Sequence, residues 1–92
     1  MLSALPGADL VLKGIRDLES GADTIEALLV QVGAPKLRSL GIPLRCDDSA
    51  MPPEHRLYAR VSEDEAGNAH SRYNALIRRL VSFERALACA SR

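Results

Sequence analysis

The chain has 92 residues, of which 47% are apolar and 3% aromatic. This length fits one domain, residues 1–92, and the apolar content excludes a chain that stays disordered. Twelve acidic and twelve basic side chains give a net charge of zero. Because phosphate contacts favour an excess of positive charge, this balance argues against a dedicated nucleic-acid-binding protein without excluding one.

The composition also indicates where the protein works. Ten arginines and only two lysines fit a GC-rich bacterial genome. The N-terminus lacks the pattern of a secretory signal, and no segment approaches the roughly 18 apolar residues of a membrane span. Cys46 and Cys89 stand alone, without the short spacing of a metal site. We therefore expect a soluble, reduced, cytoplasmic protein that binds no cofactor and no membrane.

Two helices are predicted first, over residues 8–20 and 24–32. Gly21 suits the end of the first helix, and Asp23 with Glu26 resembles a capping box that opens the second. Apolar residues recur on one face of each helix, at Leu10, Val11, Ile15 and Leu18 and at Ile25, Leu28, Leu29 and Val32.

A short third helix is predicted over residues 35–40, because Gly41 and Ile42 match a glycine helix end with its hydrophobic contact. Residues 41–53 hold three of the five prolines and show no periodicity. We expect a long loop there that crosses between two parts of one domain.

Helices are then predicted over residues 54–66 and 69–90, with a break at Gly67 and Asn68; the alternative is one helix over 54–90. The fourth helix should face the core with Leu57, Tyr58 and Val61. The fifth carries the clearest pattern in the chain, an apolar stripe at spacings of three and four: Tyr73, Leu76, Leu80, Phe83, Leu87 and Ala90. The predicted fold is all-α, a single small bundle of about five helices with a long amphipathic C-terminal helix.

Glu84 lies inside the apolar stripe, where a carboxylate must be paired or protonated. One interpretation is an acid–base residue with a raised pKa. The interpretation we favour is an ion pair with His55, Arg56 or Arg60 of the fourth helix, or a polar group that fixes the register of an interface.

Charge is unevenly distributed along the chain. Residues 46–66 hold six acidic side chains and two arginines, whereas residues 67–92 hold five arginines and one glutamate. We expect the acidic and basic helices to lie beside each other. The alternative is a basic surface for an anionic partner.

No pattern in the sequence marks a catalytic or metal site. Zinc sites pair their ligands at short spacings, but the donors here are scattered: Cys46, Asp47, Asp48, Glu54, His55, His70 and Cys89. Phosphate-binding loops and nucleophile motifs are also missing. We predict no enzyme, with a small enzyme or ligand carrier near His55, Glu84 and the 41–53 loop as an alternative.

A helix-turn-helix over residues 24–42 is a further alternative, for a DNA-associated regulator. Its recognition helix, residues 35–40, would present Lys36, Arg38 and Ser39 but is short for a major groove. The basic face of the C-terminal helix is the other candidate surface for nucleic acid.

The preferred function is a non-catalytic protein–protein interaction module that self-associates as a homodimer or binds another protein. The fifth helix, with 22 residues, extends about 33 Å and should exceed what its shorter neighbours cover. Uncovered apolar surface on a small domain usually meets a partner. The predicted interaction residues are Tyr73, Leu76, Leu80, Phe83 and Leu87, with Glu84 setting the register. The alternative is a monomer whose other helices cover the whole stripe.

Overall fold

The computed structural model describes residues 4–22, 24–42, 44, 52–64 and 66–90. This part of the chain forms five α-helices and no strand. They are α1 (Ala8–Glu19), α2 (Ile25–Val32), α3 (Ala34–Ser39), α4 (Pro53–Asp64) and α5 (Ala69–Ala90), and a 3₁₀ turn (Ala66–Asn68) precedes α5. The predicted all-α class, with about five helices and a long C-terminal helix, is confirmed. Most of the predicted loop 41–53 lies outside the described residues.

Local hydrogen bonds set the turn between α1 and α2. Gly21 takes a positive φ of 81° just beyond α1, and the residue after it donates its N–H to the Asp17 carbonyl oxygen at 2.8 Å. The glycine end of α1 is therefore as predicted. The start of α2 differs, because Thr24 is the N-cap and its Oγ1 accepts a hydrogen bond from the Ala27 N–H at 3.1 Å. Asp23, the predicted cap, lies outside the described residues.

Gly33 joins α2 directly to α3, which is six residues long. Gly41 follows α3 with a φ of 98°, and the Ile42 N–H donates to the Leu37 carbonyl oxygen at 3.0 Å. Ile42 is buried against the core. The predicted glycine end with its hydrophobic contact is confirmed.

The core is aliphatic, with a single phenylalanine among its largest side chains. All five helices contribute side chains to it, so the stability of each helix depends on packing against the others. The largest fully buried side chains are Val11, Leu29, Val30, Leu37, Leu57, Val61 and Phe83.

Two glycines bring other elements close to α5. A Cβ on Gly7, at the start of α1, would lie 2.5 Å from the Arg79 carbonyl oxygen. A Cβ on Gly33 would lie 2.9 Å from both δ carbons of Leu80. The absence of these side chains lets α1 and the α2–α3 bend pack tightly on the middle of α5.

Candidate interaction surface

The other helices cover most of the apolar stripe of α5. Phe83 is 0% exposed, Leu80 is 3% exposed, and Leu76 and Leu87 are each 7% exposed. All four belong to one hydrophobic cluster with side chains from the other helices. They are core residues and leave little surface for a partner. Ala90, the last residue of the predicted stripe, is exposed.

Two tyrosines pack against each other between α4 and α5. Tyr58 of α4, predicted to face the core, is instead 40% exposed. Its ring packs against the Tyr73 ring of α5 with the centroids 5.4 Å apart and an interplanar angle of 59°, a favourable tilted geometry. Ile77 and Val81 follow Tyr73 at four-residue intervals, and all three side chains are half-buried. We call Tyr58, Tyr73, Ile77 and Val81 the tyrosine face.

An acidic side chain of α4 lies close to the two tyrosines. Glu54 is exposed and precedes Tyr58 by one helical turn, so the two side chains project from the same side of α4. Burial raises the pKa of the Tyr73 phenol above its ordinary value, and the negative charge of Glu54 raises it further. Glu54 therefore lies near enough to Tyr73 to act electrostatically on its phenol.

Two basic side chains of α5 border the tyrosine face. Arg78 and Arg85 are exposed and seven residues apart, which places them on one side of α5. Successive residues are rotated by about 100° around the helix. Going around α5 from Tyr73, one therefore meets Ile77, then Val81, and then the two arginines. Since Tyr73 contacts α4, the arginines border the tyrosine face on the side away from α4.

Two other arginines are tied to neighbouring helices. Arg79 Nη2 of α5 donates to Asp9 Oδ1 of α1 at 2.7 Å. Arg56 Nη1 of α4 donates to the buried Gln31 Oε1 of α2 at 3.1 Å. The acidic helix α4 and the basic helix α5 do pack side by side, but these two contacts join them to α1 and α2.

Glu84 is half-buried beside the α2–α3 bend. A Cβ on Gly33 would lie 3.1 Å from its Oε2. Burial raises the pKa of the Glu84 carboxyl above its ordinary value, and the positive charge of Lys36 lowers it in part. The cation that acts on Glu84 is thus Lys36 of α3. The predicted ion pair of Glu84 with a residue of α4 (His55, Arg56 or Arg60) is wrong.

A polar cleft of about 310 Å³ lies where α2 begins, beside the end of α4 and the start of α5. Its lining carries both signs of charge, in contrast to the mostly apolar pockets that hold small molecules. It is also a different place from the pocket predicted near His55, Glu84 and the 41–53 loop. The lining residues are Thr24, Ile25, Glu26, Arg60, Asp64 and Arg72.

The described residues do not gather a metal-binding group of three or more His, Cys, Asp or Glu side chains. Cys89 is exposed with a free thiol, and His70 Nε2 lies 3.2 Å from Asn74 Nδ2. Three of the scattered donors, Cys46, Asp47 and Asp48, lie outside the described residues.

The predicted helix-turn-helix segment consists of α2, Gly33 and α3. Lys36, Arg38 and Ser39 are exposed on α3, and Ser39 Oγ donates back to the Lys36 carbonyl oxygen at 2.6 Å. With six residues, α3 offers little more than one and a half turns to a groove.

No protein-family model, curated protein or solved structure matches this chain. In the described part of the chain, every helix is too short or too polar to cross a membrane.

Proposed function

We propose that this protein is a non-catalytic interaction module that self-associates through the tyrosine face. The observation that supports the proposal is Tyr58, the one exposed large apolar side chain among the described residues. Tyr58 is held against Tyr73, so the pair presents a preorganised aromatic surface. Such surfaces are enriched at protein interfaces because they bury a large area at a small cost in conformational entropy.

The buried leucines and phenylalanine of the apolar stripe then have a different role from the tyrosine face. Leu76, Leu80, Phe83 and Leu87 stabilise the monomer, since they are buried within it. The half-buried flank of α5, beginning at Tyr73, meets the partner. A second copy is the simplest partner, because closed twofold dimers are the commonest assemblies of soluble proteins.

The proposal is tested by light scattering on a sizing column over a wide range of protein concentration. Tyr58→Glu places a charge at the centre of the tyrosine face and should yield a monomer. Ser20→Glu adds the same charge at an exposed residue that ends α1, away from α4, and should leave the dimer intact. A wild-type chain that stays monomeric, or equal effects of the two substitutions, would contradict the proposal.

Recording the ultraviolet spectrum in the same run tests the DNA-associated alternative. The chain has two tyrosines and no tryptophan, so co-purifying nucleic acid would dominate its absorbance. Such a signal, lost at high salt as counterion release requires, would favour nucleic-acid binding over self-association.

A further inference from the structure

The turn between α4 and α5 is compatible with a continuous helix. It is a 3₁₀ turn over Ala66–Asn68, and no residue in it has a positive φ. Gly67 is exposed, and a Cβ there would meet nothing within 4 Å. Residues 54–90 also contain no proline, the residue that most strongly interrupts a helix. The backbone of the turn can therefore become α-helical, as in the alternative of one helix over 54–90.

In the monomer the turn instead folds α5 back against α4. On one straight helix Tyr58 and Tyr73 would lie about 22 Å apart, at about 1.5 Å per residue. Their ring centroids are 5.4 Å apart, so the chain reverses direction between them. This contact can form within one chain only while the turn is bent.

The position of α5 is defined by contacts with residues outside the turn. Phe83 and Leu80 are buried, and Leu80 lies close to Gly33. Arg79 donates to Asp9 of α1 at 2.7 Å. These contacts depend on where α5 lies and not on which chain supplies it. An α5 helix from a second copy would make all of them, because its sequence is identical.

We propose that two copies of this chain exchange their α5 helices. In each copy the turn straightens and joins α4 to α5, and α5 then packs on α1, α2 and α4 of the other copy, the helices that it contacts in the monomer. A twofold axis passes between the two turns at right angles to the joined helices, which lie antiparallel. Each joined helix, over residues 53–90, is about 57 Å long. Tyr58 of each copy contacts Tyr73 of the other.

The exchange goes beyond the self-association proposed above, because it does not use the exposed part of the tyrosine face. Since every contact of α5 is made again, the monomer and the exchanged dimer differ mainly at the turn. The helix ends there leave N–H and C=O groups without intrahelical partners in the monomer, and the joined helix pairs them. Because α5 must leave the core before it exchanges, we expect the exchanged dimer to form when chains refold together at high concentration.

The distance between α4 and α5 of one chain tests the exchange. His55→Cys and Ser82→Cys place spin labels at exposed residues of the two helices, with Cys46 and Cys89 replaced by serine. Diluting the labelled chain into unlabelled chain before refolding leaves only the distance within one chain. Pulsed electron paramagnetic resonance should give less than about 25 Å in the monomer, where the helices are neighbours. The dimer fraction should give about 40 Å, the spacing along one straight helix.

Substitutions in the turn should shift the amount of exchanged dimer. Gly67→Ala with Asn68→Ala favours the joined helix, and we expect at least about ten times more exchanged dimer than in the wild type. Gly67→Pro interrupts the joined helix and should remain monomeric after the same refolding, with circular dichroism showing whether it folds. Ser71→Ala is the control, because it raises the helix propensity of α5 at an exposed residue outside the turn, and it should behave as the wild type does.

The outcomes separate the exchange from contact through the tyrosine face. A dimer that keeps the short distance within each chain would overturn the exchange and leave the tyrosine-face contact standing. Lack of the long distance in both the wild type and the double alanine variant would also overturn the exchange. The long distance in a dimer that Tyr58→Glu fails to weaken would support the exchange and contradict the tyrosine-face contact.

Discussion

Gly14 of α1 lies directly against the carbonyl oxygen of Glu26 in α2. A Cβ at Gly14 would overlap that oxygen and also Cγ2 of Val30. Because a backbone carbonyl moves only with its helix, any side chain here would push α2 away from α1. Glycine inside a helix is less favourable than alanine by about 0.5–1 kcal/mol, so the close contact of the helices has to outweigh that cost.

The first prediction concerns this contact. Gly14→Ala should lower the free energy of unfolding by about 1–3 kcal/mol, because overpacking forces α1 and α2 apart. Gly67→Ala is the matched control, since a Cβ there would meet nothing within 4 Å and should leave stability unchanged or slightly higher. Urea unfolding followed by circular dichroism measures both. Equal stability of the two variants would show that α1 and α2 do not meet at Gly14.

The second prediction concerns the start of α2. Thr24→Ala removes the N-cap acceptor and should cost about 1 kcal/mol of stability, whereas Thr24→Ser keeps the oxygen and should cost less. Thr24 Oγ1 also donates to Asp17 Oδ2 at 2.7 Å. Hydrogen bonds from Lys13 and then Thr24 hold the pKa of Asp17 below its ordinary value, so in Thr24→Ala this pKa should rise. Thermal unfolding and an NMR titration check the two effects, and an unchanged Asp17 pKa would contradict the second.

The third prediction concerns Glu84. Burial raises its pKa above the ordinary value of 4.5, so the folded state holds the proton more tightly than the unfolded state does. The ionised carboxylate therefore lowers stability near neutral pH, and this loss disappears as the pH falls through the folded-state pKa and then the unfolded-state pKa. Glu84→Gln should melt at a higher temperature than the wild type at neutral pH, with the difference shrinking in acid. A lower melting temperature for Glu84→Gln at neutral pH would mean that the attraction of Lys36 outweighs burial.

The fourth prediction separates the core from the surface. Leu80→Ala should cost about 2–5 kcal/mol because it opens a cavity beside Gly33. Tyr58→Ser should cost the monomer less, about 1–2 kcal/mol, since the ring is 40% exposed but packs against Tyr73. Unfolding in dilute solution, where association is negligible, measures both. A larger loss of stability in Tyr58→Ser than in Leu80→Ala would contradict the placement of Leu80 in the core and Tyr58 at the surface.

Periodicity and end signals predict much of this fold. The three- and four-residue spacing in residues 73–90 identifies α5 because side chains at those intervals share one face of a helix. Gly41 and Ile42 mark the end of α3. Gly41 takes the positive φ that ends the helix, and Ile42, the next residue, makes the buried apolar contact that accompanies such an end. Both signals are local, so the sequence alone contains them.

Contacts between helices are harder to predict, because they depend on residues far apart in the sequence. Tyr58 neighbours Leu57 and Val61 on the helical wheel, but whether this edge of α4 is covered depends on how α5 packs beside it. The partner of Glu84 likewise depends on the path from α2 to α3, which places Lys36 nearby. The length of α5 predicts an uncovered stripe, whereas Gly7 and Gly33 let neighbouring elements approach α5 and cover most of it.

Sedimentation velocity of the wild-type chain over a wide concentration range tests self-association most directly. We predict a reversible shift from a species of 10.0 kDa to one of twice that mass as concentration rises, and no such shift for Tyr58→Glu. A single 10.0 kDa species at every concentration would contradict self-association and leave the tyrosine face without a second copy as its partner.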